Sequence, residues 1–237
     1  MRIEQVDALR GLGITLVVIY HIFFDSYFFG IVDIDPTEGV LKLFGLAAAS
    51  IMIVVVGISL SLSYEKIKNS DYKTRIKKYL TRSLKLFVVA LAISAISYIF
   101  YPQGWIRWGV IHFISFAVFF CHFFARFERL NAILAMLSIT IGKIINENQT
   151  DNFLLFIVGY YYPIYSIDYF PIFPWIGLVF LGMYVGKKIY IQKKVNLEEK
   201  KIWIEKYLAI LGRNSLIIYL THQIPLISFI LILKKFS

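Results

Sequence analysis

The sequence predicts an all-α polytopic membrane protein of about seven transmembrane helices with one re-entrant or interfacial segment. Three observations lead there. Hydrophobic residues make up 59% of the 237 positions and charged residues only 17%, with a mean hydropathy of +0.70, well outside the range of ordinary soluble domains. The apolar residues fall into runs of membrane-spanning length. The basic residues behind the net charge of +10 collect in the short polar segments between those runs, as membrane topology requires. The charge is therefore assigned to topology, and nucleic acid is not expected as a partner. Cys121 is the only cysteine, so neither an internal disulfide nor a cysteine metal pair is expected. Asp7 and Arg10 precede the first apolar run and no small-residue cleavage site ends it, so the first helix is expected to stay in the mature protein.

In chain order, the first span is expected over about residues 8–30, followed by a loop in which Asp33, Asp35 and Glu38 surround Pro36 without a basic residue. The second, about 41–62, carries Gly45/Ala49 and Gly57/Ser61 at four-residue spacing, which suits close helix packing. Residues 65–85 hold Lys66, Lys68, Lys73, Arg75, Lys77, Lys78, Arg82 and Lys85 against Glu65 and Asp71, the strongest cytoplasmic marker in the chain. Spans three to five are expected at about 80–101, 105–126 and 130–145. From Phe153 to Phe170 the Tyr-rich, Pro-broken chain is read as an outer interfacial or re-entrant piece. A sixth span covers about 171–186, a charged stretch from Lys187 to Glu205 with Lys193 and Lys194 returns along the cytoplasmic face, and the last span covers about 215–233. This order places the N-terminus in the cytoplasm, with Lys234 and Lys235 on the outer side against the usual bias. Residues 1–237 are read as one transmembrane domain, without internal repeats.

The first span carries the chemistry. Arg10 and His21 are eleven residues apart, about 16 Å on a helix, which places His21 near mid-membrane if Arg10 marks the entry. An ionisable group at that depth reads as functional. Asp25, one turn on, shares a helical face with His21, and a carboxylate beside an imidazole would fix its tautomer and raise its basicity. Asp7 and Arg10 form a second same-face pair, in which the arginine suits a phosphate. His112 and His222 also fall within spans; each is more readily a hydrogen-bonded core histidine than a catalyst.

The residues Arg2-Ile3, Asp7-Ala-Leu-Arg-Gly11 and Tyr20-His21 through Asp25 resemble the opening of prokaryotic proteins grouped with the heparan-α-glucosaminide N-acetyltransferase catalytic domain. Gly57-Ile-Ser-Leu-Ser61, Trp108-Gly-Val-Ile-His112, Phe173-Pro-Trp-Ile-Gly177, Leu211-Gly-Arg-Asn-Ser-Leu216 and Tyr219-Leu-Thr-His-Gln223 extend the likeness in the same order. The Arg10-x10-His21 spacing is also similar to that of the acyltransferase-3 membrane enzymes. The resemblance implies acyl transfer from a cytoplasmic donor, acetyl-CoA or another acyl-CoA, to an extracytoplasmic glycan. It implies Arg10 and His21 as a functional pair, with Arg213, Asn214, Ser215, His222 and Gln223 lining the site. The lysosomal member carries an asparagine where this chain has His21, so the identity of the acceptor does not transfer.

The combined expectation is a membrane acyltransferase of the cell membrane, without a metal. His21 and Asp25 are the expected catalytic residues, His21 serving as base or as transient acyl carrier. Asp7, Arg10, Lys78, Arg82 and Arg213 are expected around the acyl-CoA. Tyr20, His112, Trp108, Trp175, Asn214, Ser215, His222 and Gln223 are expected to meet the substrate or its oxyanion. The lipid bilayer, acyl-CoA and a glycan are the expected partners, with homo-oligomerisation open. A proton-coupled transporter or flippase for an anionic or lipid-linked sugar uses the same His–Asp pair as a relay, and a non-catalytic scaffold needs neither; the chain alone does not separate the transporter from the enzyme.

Overall fold

The computed structural model describes residues 3–192 and 203–236. Arg2, Lys193 and Lys194 lie outside the described residues. The chain divides into two compact units, one formed by Met1–Val55 with Asn196–Ser237, the other by Val56–Val195.

In the first unit, α1 runs over Glu4–Phe28. Glu4 and Asp7 in its first turn favour the positive end of the helix dipole. Its end is a Schellman closure in which Gly30, at φ 73°, donates to the Tyr27 carbonyl and Ile31 to Ser26. The helix α2 covers Gly39–Glu65 and begins in this unit. It packs through the small residues anticipated for it, since a Cβ on Gly45 would sit 2.6 Å from the Tyr20 ring. An eleven-residue amphipathic helix, α8 at Trp203–Arg213, lies against α1; the sequence reading ended its charged return at Glu205 and assigned no helix between there and the last span. Contact is backbone to backbone: a Cβ on Gly11 would lie 1.8 Å from the Leu208 carbonyl oxygen.

The last expected span is two helices, α9 at Ser215–Thr221 and α10 at Gln223–Phe236. Pro225 lacks the N–H that would bond the Thr221 carbonyl, and the break falls at His222. Three contacts register this pair beside α1: Arg213 near Glu4 and Asp7, His222 against His21, and Lys234 donating to the Phe29 carbonyl at 2.8 Å. The helices therefore run parallel. A lysine at the C-terminal end of α1 also meets the negative end of its dipole, which accounts for a basic residue on that side.

In the second unit, α3 spans Tyr72–Phe100, capped by Asp71 accepting from the Thr74 N–H at 2.9 Å. The helix α4 covers Val110–Cys121 and ends in a 3₁₀ turn at His122–Phe124. Ser83 and Ser115 clasp α3 to α4, each hydroxyl donating to the other's carbonyl at 2.8 and 2.9 Å. The helix α5 is Glu128–Asn146, α6 is the short Phe153–Val158, and α7 is Ile172–Val185, continued by a π-helical stretch over Gly186–Gln192. Gly57 of α2 approaches α7 closely, its Cβ position 2.1 Å from the Val179 carbonyl oxygen. Ser61, one turn on, donates to the Met183 carbonyl at 2.6 Å.

Among the described residues, five helical segments are long and apolar enough to cross a membrane: Glu4–Phe28, Gly39–Glu65, Tyr72–Phe100, Ile172–Gln192 and Ser215–Lys235. Val110–Phe124 is apolar but shorter, and α5 carries Glu128 and Arg129 at its start and Lys143 in its last turn. Each of the seven spans expected from the sequence falls on one of these segments, and the protein is an all-α polytopic membrane protein. The stretch read as interfacial or re-entrant holds α6 and an irregular return to Pro171.

Candidate functional site

The first unit gathers two polar groups along one side of α1. At the N-terminal end, Asp7 is only 4% exposed, covered by α8 where Gly212 touches its backbone. Arg10 donates to Asp7 Oδ1 at 2.9 Å. Arg213 reaches the other oxygen, Oδ2, at 3.8 Å and Glu4 at the same distance. A buried carboxylate thus holds two guanidinium groups at one helix end, and the Arg213 side chain, 45% exposed, is open to an incoming anion. Asn214 and Ser215 belong to this end as well. Asn214 donates to the Ile210 carbonyl at 3.0 Å and stands eight residues before His222, about 12 Å along a helix. An oxyanion role for Asn214 next to His21 is not what this register provides.

The second group sits about 16 Å further along α1. His21 Nδ1 lies 2.9 Å from the Val17 carbonyl, and His222 Nδ1 lies 2.7 Å from the Tyr219 carbonyl. A carbonyl can only accept, so each Nδ1 carries the proton and each neutral ring presents its Nε2 lone pair. The two rings meet edge to face, 4.8 Å between centroids at 81°. Asp25 and His222 are 5% and 8% exposed. Asp25 Oδ2, His222 Nε2 and Gln223 Oε1 are buried without a hydrogen-bond partner, and the Gln223 side chain is turned to the Asp25 carboxyl. Buried polar atoms left unpaired are rare in folded proteins. Three together make this cluster the candidate site.

This differs from the expected direct His21–Asp25 pair. Helical side chains lean toward the N-terminus, and the His21 ring falls back over its preceding turn to bond Val17, so its tautomer is fixed by the backbone. Tyr20 flanks His21 edge-on at 5.8 Å, with its hydroxyl directed to the Pro36 carbonyl at 3.4 Å.

The other sequence candidates lie in the second unit. His112 is 4% exposed; its Nδ1 accepts from the Gly109 N–H at 3.3 Å, which leaves Nε2–H facing Ser94 Oγ at 3.4 Å. Ser94 in turn donates to the Ile106 carbonyl at 2.6 Å. Every polar atom of that imidazole is therefore engaged within the fold. Trp108 stacks at a tilt on His112 at 5.5 Å and buries an unpartnered Nε1, while Trp175 packs on Phe170 at 4.7 Å. Lys78 and Arg82 are one turn apart on α3, with Lys78 5.8 Å from the Tyr79 ring.

Asp168, treated in the sequence only as an interruption of an apolar stretch, accepts the Val110 N–H at 3.0 Å and so caps α4 from outside that helix. Burial raises its carboxyl to about 6. Its signal was an acid within an aromatic run, which has no helix-capping spacing to betray it. Among the described residues, no group of three or more His, Cys, Asp or Glu side chains could hold a metal ion.

Comparison with known proteins gives the class of this polytopic helical protein: a membrane acyltransferase family. The profile of heparan-alpha-glucosaminide N-acetyltransferase, catalytic, matches residues 2–224, and the chain belongs to that family. No curated protein and no solved structure matches the chain.

Proposed function

We propose that the protein takes an acetyl or other short acyl group from acyl-CoA on the cytoplasmic side and transfers it to a sugar hydroxyl or amine on the outer side of the cell membrane. The observation that carries this reading is the His21 ring, its Nδ1–H committed to Val17 and its Nε2 free to act beside the unpartnered atoms of Asp25, His222 and Gln223. The N-terminus of α1 lies in the cytoplasm, and Arg10 and Arg213 meet the phosphates of the donor there. The thioester extends along α1 toward His21. His21 Nε2 then removes the acceptor proton as the acceptor attacks the thioester carbonyl. The acceptor meets the outer end of the same helix.

The test is thiol release from acetyl-CoA by the full chain in detergent, with glucose and glucosamine offered as hydroxyl and amine acceptors and acetylated sugar followed by mass spectrometry. The proposal expects His21→Ala to lower turnover by about 10²-fold or more. Absence of thiol release and of acetylated sugar from the wild-type protein, alongside proton-coupled sugar flux in liposomes, would replace the enzyme by a transporter.

A further inference from the structure

His222 was expected to donate a hydrogen bond to an oxyanion, and its tautomer forbids that in the neutral ring. Its single proton is held by the Tyr219 carbonyl, so the atom it presents is a lone pair. His222 Nε2 is buried and unpartnered, and the nearest imidazole is that of His21, ring to ring at 4.8 Å. Both rings are thus locked in the same protonation pattern by their own helix backbones, with both basic nitrogens unoccupied. His222 keeps helical dihedral angles, φ −60° and ψ −31°, and stands at the level where α1 carries His21.

We propose that His21 and His222 act as one two-imidazole base, a deeper form of the acyltransfer reading on which it rests. A lone imidazolium inside a membrane protein is costly because its charge loses hydration. A second basic nitrogen beside it offsets that cost by taking up the proton. His21 Nε2 accepts the proton from the acceptor hydroxyl or amine while the acceptor oxygen or nitrogen bonds to the acyl carbon and the carbon–sulfur bond breaks. The proton passes to His222 Nε2 and from there to the departing thiolate, giving CoA thiol and acylated acceptor, with both rings neutral again. Among the described residues, the titratable or polar groups beside the pair are Asp25 on α1, Gln223 on α10, and the rings of Tyr20 and Tyr219, each 5.8 Å from the nearer imidazole. Asp25 supplies the negative charge that faces the protonated pair, reaching it through the Gln223 side chain rather than through His21. His222 is on this account a proton-relay residue that acts through His21.

Two readouts test it. In histidine-¹⁵N spectra of the full chain in micelles without substrate, His222→Gln is expected to displace the His21 Nε2 resonance while leaving His21 Nδ1, which is held by Val17, nearly in place. Unchanged Nε2, or equal movement of both nitrogens, overturns the dyad. With acetyl-CoA as donor and water as acceptor, His222→Gln is expected to lower kcat roughly 10- to 100-fold with KM for acetyl-CoA unchanged. Added imidazole is expected to restore part of the rate to His222→Ala. A KM effect alone, or no rescue, assigns His222 a packing role. If the wild-type protein itself releases no thiol, the acyltransfer reading fails, and the spectra still decide whether the two rings are coupled.

Discussion

Gly212 of α8 lies so close to Asp7 of α1 that a Cβ on the glycine would stand 1.8 Å from the Asp7 carbonyl oxygen. The same crossing buries the Asp7 carboxylate and delivers Arg213 to it. A small residue is therefore what allows the ion cluster to exist, since no flexible side chain stands in the way to yield. Gly212→Ala is expected to destabilise the fold by about 1–3 kcal/mol despite the better helix propensity of alanine, and to weaken CoA binding along with it. Thermal unfolding in detergent measures the first, and a fully stable variant would remove the crossing from the account.

Asp7 and Arg213 differ in burial, and their replacement should differ accordingly. Removing Asp7 leaves Arg10, bonded to it at 2.9 Å, without its buried partner; Asp7→Ala is expected to cost about 3 kcal/mol. Arg213→Ala, removing a side chain that is 45% exposed and 3.8 Å from its partners, is expected to cost less than about 1 kcal/mol while still lowering affinity for CoA. Equal destabilisation by both would contradict the geometry.

Asp168 gives a pH dependence whose sign can be fixed. Its folded-state value is raised from 3.8 to about 6, so between those values the folded protein binds more protons than the unfolded chain and stability falls as pH rises. The loss amounts to at most about 3 kcal/mol and is complete above pH 6. Asp168→Asn keeps an acceptor for the Val110 N–H without the charge. Its unfolding profile is expected to be flatter than the wild type's across that window, and the variant more stable at pH 7; parallel profiles would count against a buried carboxyl.

With α1 and α10 parallel and tied at Lys234 and Phe29, Glu4 and Lys235 are expected on opposite sides of the membrane. Tags at the two termini should be cleaved from opposite faces of oriented vesicles. Cleavage of both from one face would contradict the pairing.

Much of this was legible in the sequence because hydropathy and charge act over whole segments. Every expected span coincides with helix, and the Gly57/Ser61 pair does bring α2 against α7. What escaped were features decided by single contacts. The helix α8 went unassigned between the charged return and the last span, because its eleven residues meet α1 at the Leu208 backbone and Gly212 while Ile204 and Tyr207 stay exposed. The break at His222 was signalled by Pro225, three residues on, but the uninterrupted hydropathy of residues 215–233 masked it. The spacing of His21 and Asp25 correctly placed both on α1, yet spacing cannot say which way a ring folds, and the Val17 carbonyl claimed Nδ1. His222 was noticed for its depth in the span; its pairing with His21 depends on the register of two helices far apart in sequence.

The central claim is that the arginine cluster at the end of α1 holds the donor while His21 performs the chemistry. Calorimetric titration of the detergent-solubilised protein with CoA and acetyl-CoA tests it most directly, comparing wild type with Arg10→Ala and His21→Ala. The account predicts binding by the wild type, loss of binding in Arg10→Ala and retained binding in His21→Ala. Absence of binding by the wild-type protein, or binding unaffected by Arg10→Ala, would contradict it.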